Sequence, residues 1–202
     1  MKKTSKAIII IAIILVCIFG CYSCFKGSYN NFVTQEENVE SAWSDVQNQY
    51  QRRLDLIPNL VSTVKGAAKH EQETFEAVTK ARSAAAAQIN ISSEVLDNPE
   101  SFAKFQQAQD ALSSSLQRLM AVSEAYPELK ANENFLSLQD QLEGTENRIA
   151  VSRTRYNEAA KAYNTSIRKF PASIIANMSG FDKKQYFSAS AEAQTAPTVN
   201  FN

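Results

Sequence analysis

One histidine, five scattered glycines and no cysteine beyond position 24 leave this 202-residue chain short of the residues on which most active sites are built. His70 opens Lys69-His70-Glu71-Gln72-Glu73-Thr74, which starts like the H-E-x-x-H zinc motif, but the second imidazole would have to sit at position 74, and that residue is Thr74. A phosphate cradle needs glycines close together, and Gly20, Gly27, Gly66, Gly144 and Gly180 are not. There is no G-x-S-x-G elbow for a serine nucleophile. Glu71, Glu73 and Glu76 fall on an amphipathic pattern whose ordinary use is a solvated face. These absences argue against an enzyme and give no catalytic residue, metal site, cofactor or small-molecule substrate. They also leave the body without disulfides.

Charge of one sign is missing as well. Acids and bases balance at 21 each, but Lys2, Lys3, Lys6 and Lys26 lie in the first thirty residues, where there is no Asp or Glu, so the remainder is mildly acidic. Nucleic acid is not an expected partner, because that needs Lys and Arg clustered on one face of the body.

What the chain does have, first, is an apolar run over 7–19 behind three lysines. As a helix, residues 7–25 extend about 28 Å, close to the hydrocarbon thickness of a bilayer. Three lysines before the run against one after it predict a single-pass protein with a cytoplasmic N-terminus and an extracytoplasmic body. Cys17, Cys21 and Cys24 complicate this reading. Ile18-Phe19-Gly20-Cys21 resembles a bacterial lipoprotein box with an untypically bulky second residue, and the alternative is a cleaved signal with a lipidated Cys21. Cys21-Tyr22-Ser23-Cys24 matches redox spacing without the strand-then-helix setting that lowers a thiol pKa.

Second, the body repeats apolar residues every three or four positions. Val39, Trp43, Val46, Tyr50, Leu54, Ile57, Val61, Val64 and Ala68 form one helical seam, with Pro58 inside it as an expected kink and Gly66-Ala67-Ala68-Lys69 as the next weak point. Phe75, Val78, Arg82 and Ala85 continue the pattern. Asp97-Asn98-Pro99-Glu100 is a helix start, followed by Phe102, Phe105, Leu112, Leu116, Leu119 and Met120 facing inward. After Tyr126-Pro127-Glu128 a last long helix carries Phe135, Leu138, Leu142, Thr145, Ile149, Tyr156, Tyr163, Ile167 and Phe170, and Pro171 stops it.

Two long segments, 29–66 and 131–170, and two short ones, 70–90 and 98–125, stack long on long and short on short in an up-and-down order. The predicted fold is all-α: an N-terminal membrane helix followed by an elongated antiparallel four-helix bundle. The alternative is three long helices, the first continuous over 29–88. The chain divides into an anchor at 1–28, a bundle at 29–180 and a flexible tail at 181–202.

Candidate binding residues fall in three places. Arg52, Arg53 and Asp55 make either a helix-surface ion pair or, with Pro58 and Asn59, a recognition patch at the kink. Tyr156-Asn157 and Tyr163-Asn164 repeat at one heptad, which reads as seam packing or as a binding stripe. The tail has a linker composition yet carries Phe181, Tyr186, Phe187 and Phe201, and Val199-Asn200-Phe201 alternates as an added β-strand would. Ile174, Ile175, Met178 and Phe181 either cap the end of the bundle or press on a lipid surface.

Several stretches together resemble the LemA family. They are Ala42-Trp43 to Val46, Arg52-Arg53-Leu54-Asp55-Leu56-Ile57-Pro58-Asn59-Leu60-Val61, Val64-Lys65-Gly66, Lys69-His70-Glu71 and Ala77-Val78. In the second half, 124–135, Glu146-Asn147-Arg148-Ile149-Ala150, the two Tyr-Asn pairs, Phe170-Pro171 and the closing Ala196-Pro197-Thr198-Val199-Asn200-Phe201 agree too. The cysteine-rich anchor and the segment 84–99 depart from it. The resemblance implies an N-terminally anchored bacterial protein with a helical-bundle body and no assigned catalytic activity; it supplies no substrate and no site residues. The expected function is a non-catalytic membrane-anchored scaffold that presents its bundle and a C-terminal docking tail to envelope or membrane proteins of unknown identity. The alternative is a membrane-organising protein acting by self-association or lipid contact.

Overall fold

The computed structural model describes residues 2–89 and 93–188. Helix α1 (Lys2–Ala67) runs unbroken from the apolar segment into the body. It is followed by α2 (Gln72–Ile89), a 3-10 turn (Ser93–Leu96), α3 (Pro99–Glu124), the single turn α4 (Pro127–Lys130), α5 (Glu133–Arg168) and α6 (Ala172–Ser179). No strand occurs among the described residues.

The fold is an all-α bundle in the four-helix order, with α1 packed mainly on α5 and α2 mainly on α3. Asn31 bonds Ser166, and Arg53 bonds Glu146, so moving up α1 means moving down α5. Gln47 reaches the carbonyl of Ile89 and Arg82 that of Leu54, which sets α2 antiparallel to α1. A continuous 29–88 helix is therefore excluded. The chain reverses between Ala68 and Gln72, just past Gly66, because only a hairpin brings the buried Phe75, Val78 and Ala85 back onto the core. Pro58 lies inside α1 on its exposed face, where its missing N–H costs one hydrogen bond without opening the core.

Local chemistry fixes the other starts. Asn98 accepts from the backbone N–H of Glu100 and Ser101, with Pro99 at the first helical position, and Asn132 accepts from Phe135 N–H. Each such cap is worth about 1 kcal/mol. The predicted core positions are buried from Val39 to Ala68, from Phe102 to Leu119 and from Phe135 to Ile167, with Val61, Met120 and Leu138 packed at the edge. Phe170 is a correction: α5 ends at Arg168, the chain turns away, and the ring is 83% exposed.

The apolar stretch of α1 packs against nothing among the described residues: Ile8 and residues 10–19 are exposed, and this segment is long and apolar enough to cross a membrane. At the other end of the chain, residues 181–188 do not behave as a flexible tail. They form an extended strap in which Lys184 and Phe187 are buried.

Candidate functional site

Two polar constellations organise the body. The first surrounds Arg53, which is not the surface group that its neighbours suggest but is 1% exposed. Its Nη1 donates to Ser113 Oγ at 2.8 Å and to Glu146 Oε1 at 3.1 Å, and its Nη2 to Gln109 Oε1 at 2.6 Å. The guanidinium sits 5.0 Å from the centre of the Tyr50 ring. Gln109 Nε2 in turn reaches the Ala85 carbonyl, so one hydrogen-bonded layer joins α1, α2, α3 and α5. Arg53 is thus a core residue. Arg52, Asp55, Pro58 and Asn59 remain exposed on α1, and Asp55 accepts from Gln51 rather than pairing with an arginine.

The second constellation holds the strap. Asn164 accepts from Lys184 N–H and donates to the Lys184 carbonyl, each at 2.9 Å; Asn157 does the same for Phe187 at 2.9 and 3.0 Å. The spacing explains itself. Seven helical residues rise about 10.5 Å, and three extended residues cover about 10 Å, so a heptad pair of amides meets every third strap residue. Between them Tyr156 donates to the Gln185 carbonyl at 2.8 Å, while Gln185 N–H donates to the Leu96 carbonyl at 2.8 Å.

Side chains complete the grip. Lys184 Nζ lies 2.7 Å from Glu36 and 2.8 Å from Asp97. The Phe187 ring enters a cage of Trp43, Phe102, Phe105 and Tyr156, at centroid distances of 5.0–6.3 Å, and Arg153 covers it at 4.6 Å. Ser188 closes the strap against Gln106 of α3 and Arg153 of α5. Farther along this α3–α5 seam an open groove of about 510 Å³ has Leu116, Met120 and Leu142 beside Glu124, Glu143 and Glu146.

The Tyr-Asn heptad repeat therefore bears out both readings: Tyr156 and Tyr163 are buried as seam packing, and Asn157 and Asn164 form a binding stripe whose ligand is this chain's own strap. Composition pointed the other way, since the signal was the repeat together with the aromatics at 181, 186 and 187, two observations that spacing alone does not connect. Cys21 sits on the exposed wall of α1, as do Cys17 and Cys24, and His70 is exposed in the α1–α2 turn. Val199 and Phe201 lie outside the described residues.

Burial pushes the hydroxyls of Tyr156 and Tyr163 well above the ordinary tyrosine range, and neighbouring acids push the same way. Burial pulls Lys184 down, but the hydrogen bonds and charges of Asp97 and Glu36 outweigh it and leave the ammonium raised. All three groups bind their protons more tightly folded than unfolded. Their stability is complete below the unfolded values near pH 10 and is lost as pH rises through the folded ones. The urea midpoint should accordingly stay level from pH 7 to about 9 and fall steeply above about 10. In Lys184→Met the fall should be shallower by one proton, and an unchanged slope would refute the assignment.

The LemA family profile matches residues 42–201, which takes in the strap and the segment after it. The chain is 29% identical over 196 residues to magnetosome protein MamQ 1 of Paramagnetospirillum magneticum, covering 90% of this chain and 71% of that protein. It is 28% identical over 174 residues to magnetosome protein MamQ of Magnetospirillum gryphiswaldense, covering 79% and 64%. Protein LemA of Metamycoplasma hominis is 24% identical over 155 residues, covering 77% and 66%.

Proposed function

The chain belongs to the LemA family, and on that premise we propose that it is a non-catalytic, membrane-anchored interaction module. Residues 1–28 anchor it, with the N-terminus cytoplasmic and the body on the far side by the lysine bias; lipidation at Cys21 is the alternative anchor. The bundle, extended to include the strap, is the rigid support. Residues 189–202 are the docking segment, with Val199 and Phe201 as its side-chain contacts. The exposed Arg52, Asp55, Pro58 and Asn59 and the acidic α3–α5 groove are further surfaces for a protein partner.

The observation that carries this reading is the strap itself. The side-chain amides of Asn164, Asn157 and Gln106 clamp the backbone of residues 184–188, which fixes Ser188 on the seam between α3 and α5. A segment launched from a fixed point can be aimed.

The test compares crosslinked partners of the full chain in native membranes with those of a chain ended after Ser188, which keeps the strap. A protein partner should be captured by the first and lost from the second. An identical partner set from both would sink the docking role, and self-crosslinks alone, unaltered by truncation, would support the membrane-organising reading instead.

A further inference from the structure

Helix α6 joins two features that the interaction role does not use: an exposed apolar stripe and the point where α1 leaves its apolar segment. Ile175 and Ala176 face the core, and Phe181 packs edge-on against Phe32 and Tyr29 at 5.3 and 5.4 Å. That half caps the bundle. The opposite half is bare: Ile174 and Met178, four residues apart, are 52% and 76% exposed, and Phe170, in the turn that leads into the helix, is 83% exposed. Apolar side chains of this size gain by leaving water, so three of them bare at one end of the body call for a cover.

Position says what covers them. Ala172, at the start of α6, shares a cleft with Ser28 and Phe32, and Phe181, just past its end, rests on Tyr29 and Phe32. The Phe181 contacts set this end of α6 at the level of Tyr29 to Phe32 on α1. That level is only about 6–10 Å beyond Phe25, where the apolar segment ends. That is the depth of the headgroup region, and Tyr22, Phe25 and Tyr29 are spaced along α1 as an aromatic belt is. Lys26, Arg168, Lys169 and Lys183 are exposed around the same end, against Asp182 and, one turn farther up α1, Glu36 and Glu37.

We propose that α6 is an interfacial helix: Phe170, Ile174 and Met178 insert into the headgroup–acyl boundary of the bilayer that α1 crosses, with the neighbouring cations on lipid phosphates. The body then stands on two contacts, a span and a foot, which fixes the tilt and rotation of the bundle over the membrane. The proposal rests on residues 7–25 lying in a bilayer and not on any docking by residues 189–202.

The full chain, reconstituted in phosphatidylcholine–phosphatidylglycerol vesicles, tests it through tryptophan quenching by lipids brominated high on the acyl chain. The chain's own Trp43 is 3% exposed and about 27 Å up α1 from Phe25, so it gives a constant background. Met178→Trp and Ile174→Trp should lose roughly half or more of their added emission in brominated vesicles. Val16→Trp, within the span, should be quenched likewise, and Val151→Trp, exposed higher on α5, should not. Quenching at position 16 without quenching at 174 and 178 overturns the proposal. So does a blue-shifted but unquenched emission at 178, which would mean that a second copy covers the stripe. Absence of quenching at position 16 removes the premise and the proposal together, whereas the crosslinking comparison of truncated chains would be unaffected.

Discussion

Arg53→Ala should lower the unfolding free energy of the chain by about 4 kcal/mol, at the scale expected when one member of a buried charged network is removed. Arg53 is 1% exposed, whereas its ion-pair partner Glu146 keeps 40% of its side chain in contact with solvent. The pair's Coulomb energy is therefore screened on one side, and Glu146→Gln should cost less than about 1 kcal/mol. The expense lies elsewhere. Gln109 is 2% exposed and accepts the 2.6 Å bond from Arg53; without it a buried amide oxygen loses a charged donor, worth about 1–3 kcal/mol. The rest is the packed stem and the Tyr50 face that the guanidinium covers. Arg53→Met keeps much of the stem and should cost about 2 kcal/mol, of which adding Gln109→Leu recovers part. Urea midpoints of the four variants check this order. If Glu146→Gln were as damaging as Arg53→Ala, the ion pair and not the hidden amide would be the source.

The same residue shows how much of the molecule was legible in the sequence and where legibility stopped. Spacing of three and four along 39–68, 102–119 and 135–167 identified the seams because burial of apolar area dominates folding and leaves a periodic trace. Asn98-Pro99 marked a helix start because a side-chain acceptor and a fixed φ act locally. Arg53 gave no such trace: its partners lie 56, 60 and 93 residues away, and a buried arginine looks in sequence like any exposed one. The strap was misread for a related reason. Residues 181–188 have little periodicity because their recognition runs through backbone groups, which every residue has, held by two asparagines that read as boundary positions. The α6 stripe was half legible. The cap reading holds for Ile175 on the helix and Phe181 just past it, which pack on the core, whereas Ile174 and Met178 of the same segment face outward.

Phe187→Ala should be the most damaging change in the strap, costing about 3–5 kcal/mol, while ending the chain after Ser188 should change stability by less than about 0.5 kcal/mol. The contrast follows from what the ring replaces. Helix α3 pairs with α2, and its backbone approaches α5 at few points, so the two helical pairs are not sealed by ridge-into-groove packing along the α3–α5 seam. At the level of Trp43 that seam is filled instead by Phe187, wedged between Phe102 and Phe105 of α3 and Tyr156 of α5. Removing the ring leaves a hole that neighbouring helices can close only by shifting toward each other. It also strips Arg153 of the surface it covers. The backbone bonds at Asn157 and Asn164 then hold a strap with no anchor, and about 1 kcal/mol per bond does not offset the conformational freedom that eight extended residues would regain. Hydrogen exchange separates the two consequences. In Phe187→Ala the amides of Lys184, Gln185 and Phe187 should exchange at rates near those of a free peptide, and those of α3 should lose protection more than those of α1 or α5. In the chain ended after Ser188 all of them should stay protected. Retained protection at Lys184 and Phe187 in the alanine variant would mean that the asparagine amides, and not the aromatic cage, hold the strap in place.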